Sequence, residues 1–119
     1  MTLSRGRPLR QVGRKALRDK ERRADVRAET ARLAGDRCQA ATVWPQVRCF
    51  GVLDTHEVIQ RSLMPNSHLD TTLTLLVCRG HHMAIEDDHQ RARELGLEFS
   101  AWEVAEARQS VTRYRLRRP

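Results

Sequence analysis

Residues 78 to 82, Cys78-Arg79-Gly80-His81-His82, put three metal-ligating side chains within five positions, and Cys38, Cys49 and His56 stand upstream as partners. Cys78 and His81 are separated by two residues with Gly80 between them. This is the knuckle spacing that lets a thiolate and an imidazole reach one tetrahedral zinc while the backbone turns. Cys38 and Cys49 would complete such a site. His56 and His82 then remain for a second metal, and an open second metal is where a water could be activated for hydrolysis.

Something must hold those residues together, and the composition says that apolar burial alone is thin. The chain has 119 residues, 4% aromatic and 31% charged, which fits one small domain that a structural metal would help to close. Three cysteines are an odd number, and in a reducing compartment a Cys, Cys, Cys-x-x-His set reads as metal binding before it reads as a disulfide. No apolar run approaches the length that spans a bilayer, and residues 1–30 are rich in arginine without a signal peptide's apolar stretch. The expected location is the cytosol, with no membrane partner.

Charge is unevenly placed. Residues 1–35 carry a formal +7, residues 36–100 carry −3 and residues 101–119 carry +3. Basic ends around a mildly acidic centre suit a polyanion bound by the ends while the centre holds cations. Most of the positive charge is arginine, whose planar fork suits phosphate oxygens.

The elements follow from pattern. Residues 1–13, with Gly6, Pro8 and Gly13 among arginines, read as a flexible basic arm. Residues 14–35 read as a basic helix with an irregular apolar stripe, capped by Gly35. Val52 to Ile59 and Thr72 to Val77 read as strands able to pair antiparallel, with residues 60–71 an exposed loop between them. His82 to Leu95 reads as a helix that stops at Gly96, and Ser100-Ala101-Trp102-Glu103 as the capping box of a last helix over residues 100–119. Trp44 and Trp102 are expected in the packing, and Tyr114 among arginines as a weak base-stacking candidate.

Cys38, Cys49, the run Asp54-Thr55-His56-Glu57-Val58-Ile59-Gln60-Arg61-Ser62, Leu69-Asp70, the run Val77-Cys78-Arg79-Gly80-His81-His82-Met83-Ala84-Ile85 and the trailing Glu94-Leu95-Gly96-Leu97 together carry a resemblance. Over roughly residues 37–99 the chain resembles the HNH endonuclease family, most of all its small bacteriophage members. The resemblance implies an α+β fold: a ββα-metal core over residues 36–99, with a structural zinc knuckle and flanking N- and C-terminal helices. It also implies a metal-dependent endonuclease that hydrolyses phosphodiester bonds of double-stranded DNA, acting in the host cytosol beside phage packaging proteins.

Carried over by position, the resemblance makes His56 and His82 ligands of a catalytic Mg²⁺, Mn²⁺ or other divalent ion. Glu86, one helical turn after His82, is a third ligand candidate. Glu57 falls where the family places its histidine base, and an exposed carboxylate near ~4.3 is a weak base unless desolvated. Leu73, beside Thr72, stands where the family has its middle asparagine, and His81 replaces the knuckle's second cysteine. Arg61, Arg79, Arg14, Arg18, Arg22, Arg115 and Arg117 are the candidate nucleic-acid contacts, while His68 and His89 are left without an assigned role. The alternative is a catalytically degenerate, zinc-containing nucleic-acid-binding module on the same scaffold; a third reading docks the basic helices on an acidic partner.

Overall fold

A computed structural model describes residues 2–117, with side chains described from Gly13 onward. Arg118 and Pro119, the end of the expected last helix, lie outside the described residues. The chain runs α1 (Thr2–Ala34), β1 (Leu53–Glu57), β2 (Thr74–Cys78), α2 (Arg79–Asp87), α3 (His89–Glu94) and α4 (Val104–Leu116), with short 3₁₀ turns at Ser67–Leu69, Thr71–Leu73 and Ala101–Glu103.

α1 is continuous through the segment expected as a flexible arm. Among its described side chains, packing begins near Arg23. Val26 and Thr30 are buried, whereas Leu17 is 61% exposed, so among the described residues the irregular stripe engages the domain through the last turns of the helix. The Thr30 hydroxyl meets the Thr74 hydroxyl at 2.7 Å in a buried contact that ties α1 to β2. Gly35 (φ 64°) ends the helix as expected: its N–H donates to Arg32 O at 3.1 Å and the Asp36 N–H to Ala31 O at 3.0 Å. That reciprocal pair is the Schellman arrangement, which needs a left-handed residue where glycine has no Cβ to clash.

β1 and β2 form an antiparallel pair in which His56 faces Leu75 and Asp54 faces Val77. The pairing matches expectation, although both strands are shorter than their sequence patterns. β2 is buried along its whole length, with α1, α2 and α4 in contact with it and Gln39 hydrogen-bonded to Leu76 at its edge, which suits its largely apolar run. The core gathers Trp44, Val58, Leu73, Leu75, Val77, Ile85, Leu97 and Val111.

Four details differ from the sequence reading. The helix expected over 82–95 begins at Arg79 and breaks at Asp88, whose backbone leaves helical geometry (φ −139°, ψ 76°) so that its carboxylate can cap α3 by accepting the Arg91 N–H. The 60–71 loop is partly internal, with Ser67 and Leu69 buried. Trp102 is 84% exposed, since the Ser100–Glu103 turn projects outward before α4 starts. Tyr114 is buried with its hydroxyl donating to Leu95 O, so its ring packs α4 onto the core and is not available to stack on a base.

Candidate metal centre and adjoining cleft

Cys38 follows the end of α1, Cys49 lies in the loop before β1, and Cys78 closes β2 as the N-cap of α2, its sulfur accepting the His81 N–H at 3.4 Å. The loop and the knuckle clasp each other: Gly80 N–H donates to Phe50 O at 3.1 Å and Arg79 N–H to Val52 O at 3.0 Å. A Cβ on Gly80 would stand 2.4 Å from Arg48 O and 2.7 Å from the Phe50 ring, so only glycine permits this approach.

The four donor atoms of Cys38, Cys49, Cys78 and His81 all lie within 4.8 Å of one another, close enough to hold a metal ion. The three sulfurs stand 3.5, 3.5 and 3.2 Å from His81 Nδ1. Tetrahedral zinc with its usual bond lengths to sulfur and nitrogen would place S and N about 3.5 Å apart, so the donor set is compatible with structural zinc. The other ring nitrogen fixes the tautomer. His81 Nε2 lies 2.9 Å from Trp44 O, and because a carbonyl can only accept, Nε2 carries the hydrogen and Nδ1 turns its lone pair toward the sulfurs.

Without a cation the cluster is electrostatically mismatched. Burial alone would raise the Cys78 thiol, but hydrogen bonds from the His81 and Phe50 backbone N–H groups oppose it and hold the thiol below its ordinary value. Burial and the neighbouring sulfurs push Cys49 up to about 12, and burial also raises Cys38. One thiolate is favoured and the next two are resisted. A divalent ion removes that resistance, since coordination deprotonates thiols outright.

A second site lies where β1 meets α2. His56 is buried, with Nε2 2.6 Å from Leu97 O; the same tautomer argument makes Nε2 the donor and leaves Nδ1 with a free lone pair. Burial lowers the His56 pKa, and nearby His82 lowers it further against the opposing pull of the Leu97 carbonyl. The His56 and His82 rings are 5.7 Å apart between centroids. His82 Nε2 is 3.8 Å from Glu86 Oε1, and its Nδ1 is 4.0 Å from Asp54 Oδ2. His56, His82 and Glu86 border a cleft of about 220 Å³ that Glu57, Arg61, His89 and Glu98 also line.

The expected site residues are thus brought together in two groups, with distinct outcomes. Among the described residues, the cysteine and His81 set is the one group of three or more such ligands whose donor atoms converge, whereas His56, His82 and Glu86 adjoin one cleft more loosely. Glu57 lies between two guanidinium groups, 3.8 Å from Arg23 and 3.6 Å from Arg61. Arg14, Arg18 and Arg22 are exposed along α1, and Arg79 pairs with Asp54 at 3.2 Å. Arg115 is turned inward onto the Thr71 and Thr74 carbonyls, bracing α4, and Arg117 covers the Tyr114 ring at 4.7 Å. His68 is partly covered, with its carbonyl accepting from Arg23 at 2.7 Å.

Sequence reasoning passed over Asp54, although its same-face spacing from His56 on a strand (i, i+2) was a usable signal. It also passed over Leu97 and Trp44, whose carbonyls orient the two buried rings and leave no mark in the side-chain pattern. Comparisons of the chain with protein-family models, with curated proteins and with solved structures return no match.

Proposed function

We propose that the chain is a metal-dependent DNA endonuclease of the HNH kind, built on a zinc-held scaffold and bound to double-stranded DNA through α1. The observation that carries this reading is His56: buried, held by the Leu97 carbonyl, left with an unprotonated Nδ1, and bordering a cleft where its ring centroid stands 5.7 Å from that of a second imidazole flanked by two carboxylates. Neutral imidazole is a better proton acceptor for water near pH 7 than a carboxylate between two arginines. The base role therefore falls to His56, and Glu57 orients Arg23 and Arg61 at the cleft edge.

His82, with Asp54 or Glu86, would hold the hydrolytic ion, and this mixed imidazole and carboxylate set fits magnesium or manganese. When bound, that ion supplies charge neutralisation at the phosphate and the leaving oxygen. Arg61, which lines the cleft, and the exposed Arg79 suit phosphate oxygens, and Arg14, Arg18 and Arg22 repeat every fourth residue along one side of α1 where a phosphate backbone can run. Cys38, Cys49, Cys78 and His81 hold zinc and take no part in the chemistry.

Plasmid DNA incubated with the purified protein and Mg²⁺, Mn²⁺ or Ni²⁺ tests the reading. Nicking that needs the metal and disappears in His82→Ala supports it. Salt-sensitive binding with no cut strands under any metal favours the second reading, a nucleic-acid-binding module, which draws on the neutralised Glu57 at the family's base position.

A further inference from the structure

His89 also borders the cleft, and nothing in the proposed chemistry uses it. It sits on α3 beyond the break at Asp88, so it does not continue the His82 and Glu86 face of α2. Its Nδ1 is 2.8 and 3.0 Å from the two oxygens of Glu98, a carboxylate 8% exposed that also accepts from Gln60 Nε2 at 3.2 Å. The imidazole side chain itself is 53% exposed. Nδ1 is therefore engaged from beneath, and Nε2 is the nitrogen left for a ligand.

Two imidazoles are in this way oriented by one short segment. The Leu97 carbonyl holds His56 and the Glu98 carboxylate holds His89, while Phe99 N–H donates to Val58 O at 2.7 Å and pins the segment beside the end of β1. The two partners differ in kind. A neutral carbonyl behind a buried ring leaves a proton acceptor facing the cleft, whereas a carboxylate behind a ring offsets the charge of a second ring proton, as in carboxylate–histidine dyads.

Resting on the nuclease reading above, we infer that His89 is the proton donor to the leaving 3′ oxygen, positioned by Glu98. Water forms the new bond to phosphorus and gives its proton to His56 Nδ1. The bond from phosphorus to O3′ breaks, its electron pair passes to O3′, and that oxygen takes the proton from His89 Nε2. The products are a 5′-phosphate and a 3′-hydroxyl. Both rings return to their starting states by proton exchange with solvent.

The test compares two substrates with the full, metal-loaded chain: plasmid DNA, whose alkoxide leaving group needs a proton, and bis(p-nitrophenyl) phosphate, whose nitrophenolate leaves without one. His89→Gln should lose about a hundredfold on plasmid and stay within about threefold of the parent on the chromogenic diester. Glu98→Gln should show the same asymmetry at about a tenfold loss, with DNA affinity unchanged in both variants. Equal losses on the two substrates, weakened DNA binding, or no loss at all would overturn the proton-donor role while leaving the nuclease reading intact. A parent protein inactive on both substrates would overturn the inference together with that reading, and His82→Ala, expected to lose both activities, marks the difference.

Discussion

The cysteine centre and the histidine cleft share the Cys78–His82 turn yet are built on opposite plans. In the first, four donors converge within 4.8 Å, and the His81 ring is clamped from behind by a carbonyl. In the second, donors stand 3.8 to 4.0 Å apart around His82 and the space beside them is open. A closed tetrahedral set suits an ion that holds the fold, and an open set suits one that must admit a substrate. Adjacent residues, His81 and His82, are sent to the two sites because one turn of helix points neighbours about 100° apart.

The largest expected effect breaks the first region. Cys78→Ser removes the thiolate that also caps α2, and it should destabilise the folded state by more than about 5 kcal/mol, read as a lost thermal transition and lost metal content. Strong chelation of the parent should do the same. If the variant melts like the parent, the centre is not what closes the fold.

The second region should break without unfolding. His56→Gln keeps a donor for the Leu97 carbonyl and removes the proposed base, so plasmid nicking should fall roughly a hundredfold to a thousandfold while the melting temperature changes little. The pH profile sharpens this. Burial holds His56 below its unfolded value of about 6.5, so the unfolded chain binds the proton more readily, and the stability contribution is present above that pH. It is lost as pH falls through the folded value. Nicking should decline over the same acid range, and an acid-side profile unchanged in His56→Gln would remove His56 from the base role.

The sequence exposed the two regions unequally. Cys78, His81, Cys38 and Cys49 were legible because ligand spacing is a local property and cysteine is scarce in this chain. The strand pair and the stop at Gly35 were legible for the same local reason. The break at Asp88 was not, since Glu86-Asp87-Asp88 reads as an acidic helix face, and only the structure shows the Asp88 carboxylate capping α3. Trp102 misled because an aromatic is usually buried. The orientation of His56 rests on the Leu97 carbonyl, 41 residues away, a contact that no spacing rule encodes.

A smaller effect is expected where neither site is touched. Thr30→Val breaks the buried hydroxyl pair between α1 and β2, leaving Thr74 its weaker contact with Thr71 O, and should cost about 1 kcal/mol. Nicking per folded molecule should be unaffected on a short duplex. A loss of activity larger than the loss of stability would mean that α1 seating, and not the cleft alone, sets the chemistry.

Graded chelation tests the two-site account most directly, with metal content and plasmid nicking followed in the same samples. The account predicts that nicking stops at a chelator concentration that leaves one zinc per chain and the folded state in place, and that added Mn²⁺ restores it. Zinc and activity lost together in one step, or a zinc-loaded protein that never nicks DNA with any divalent ion, would contradict it.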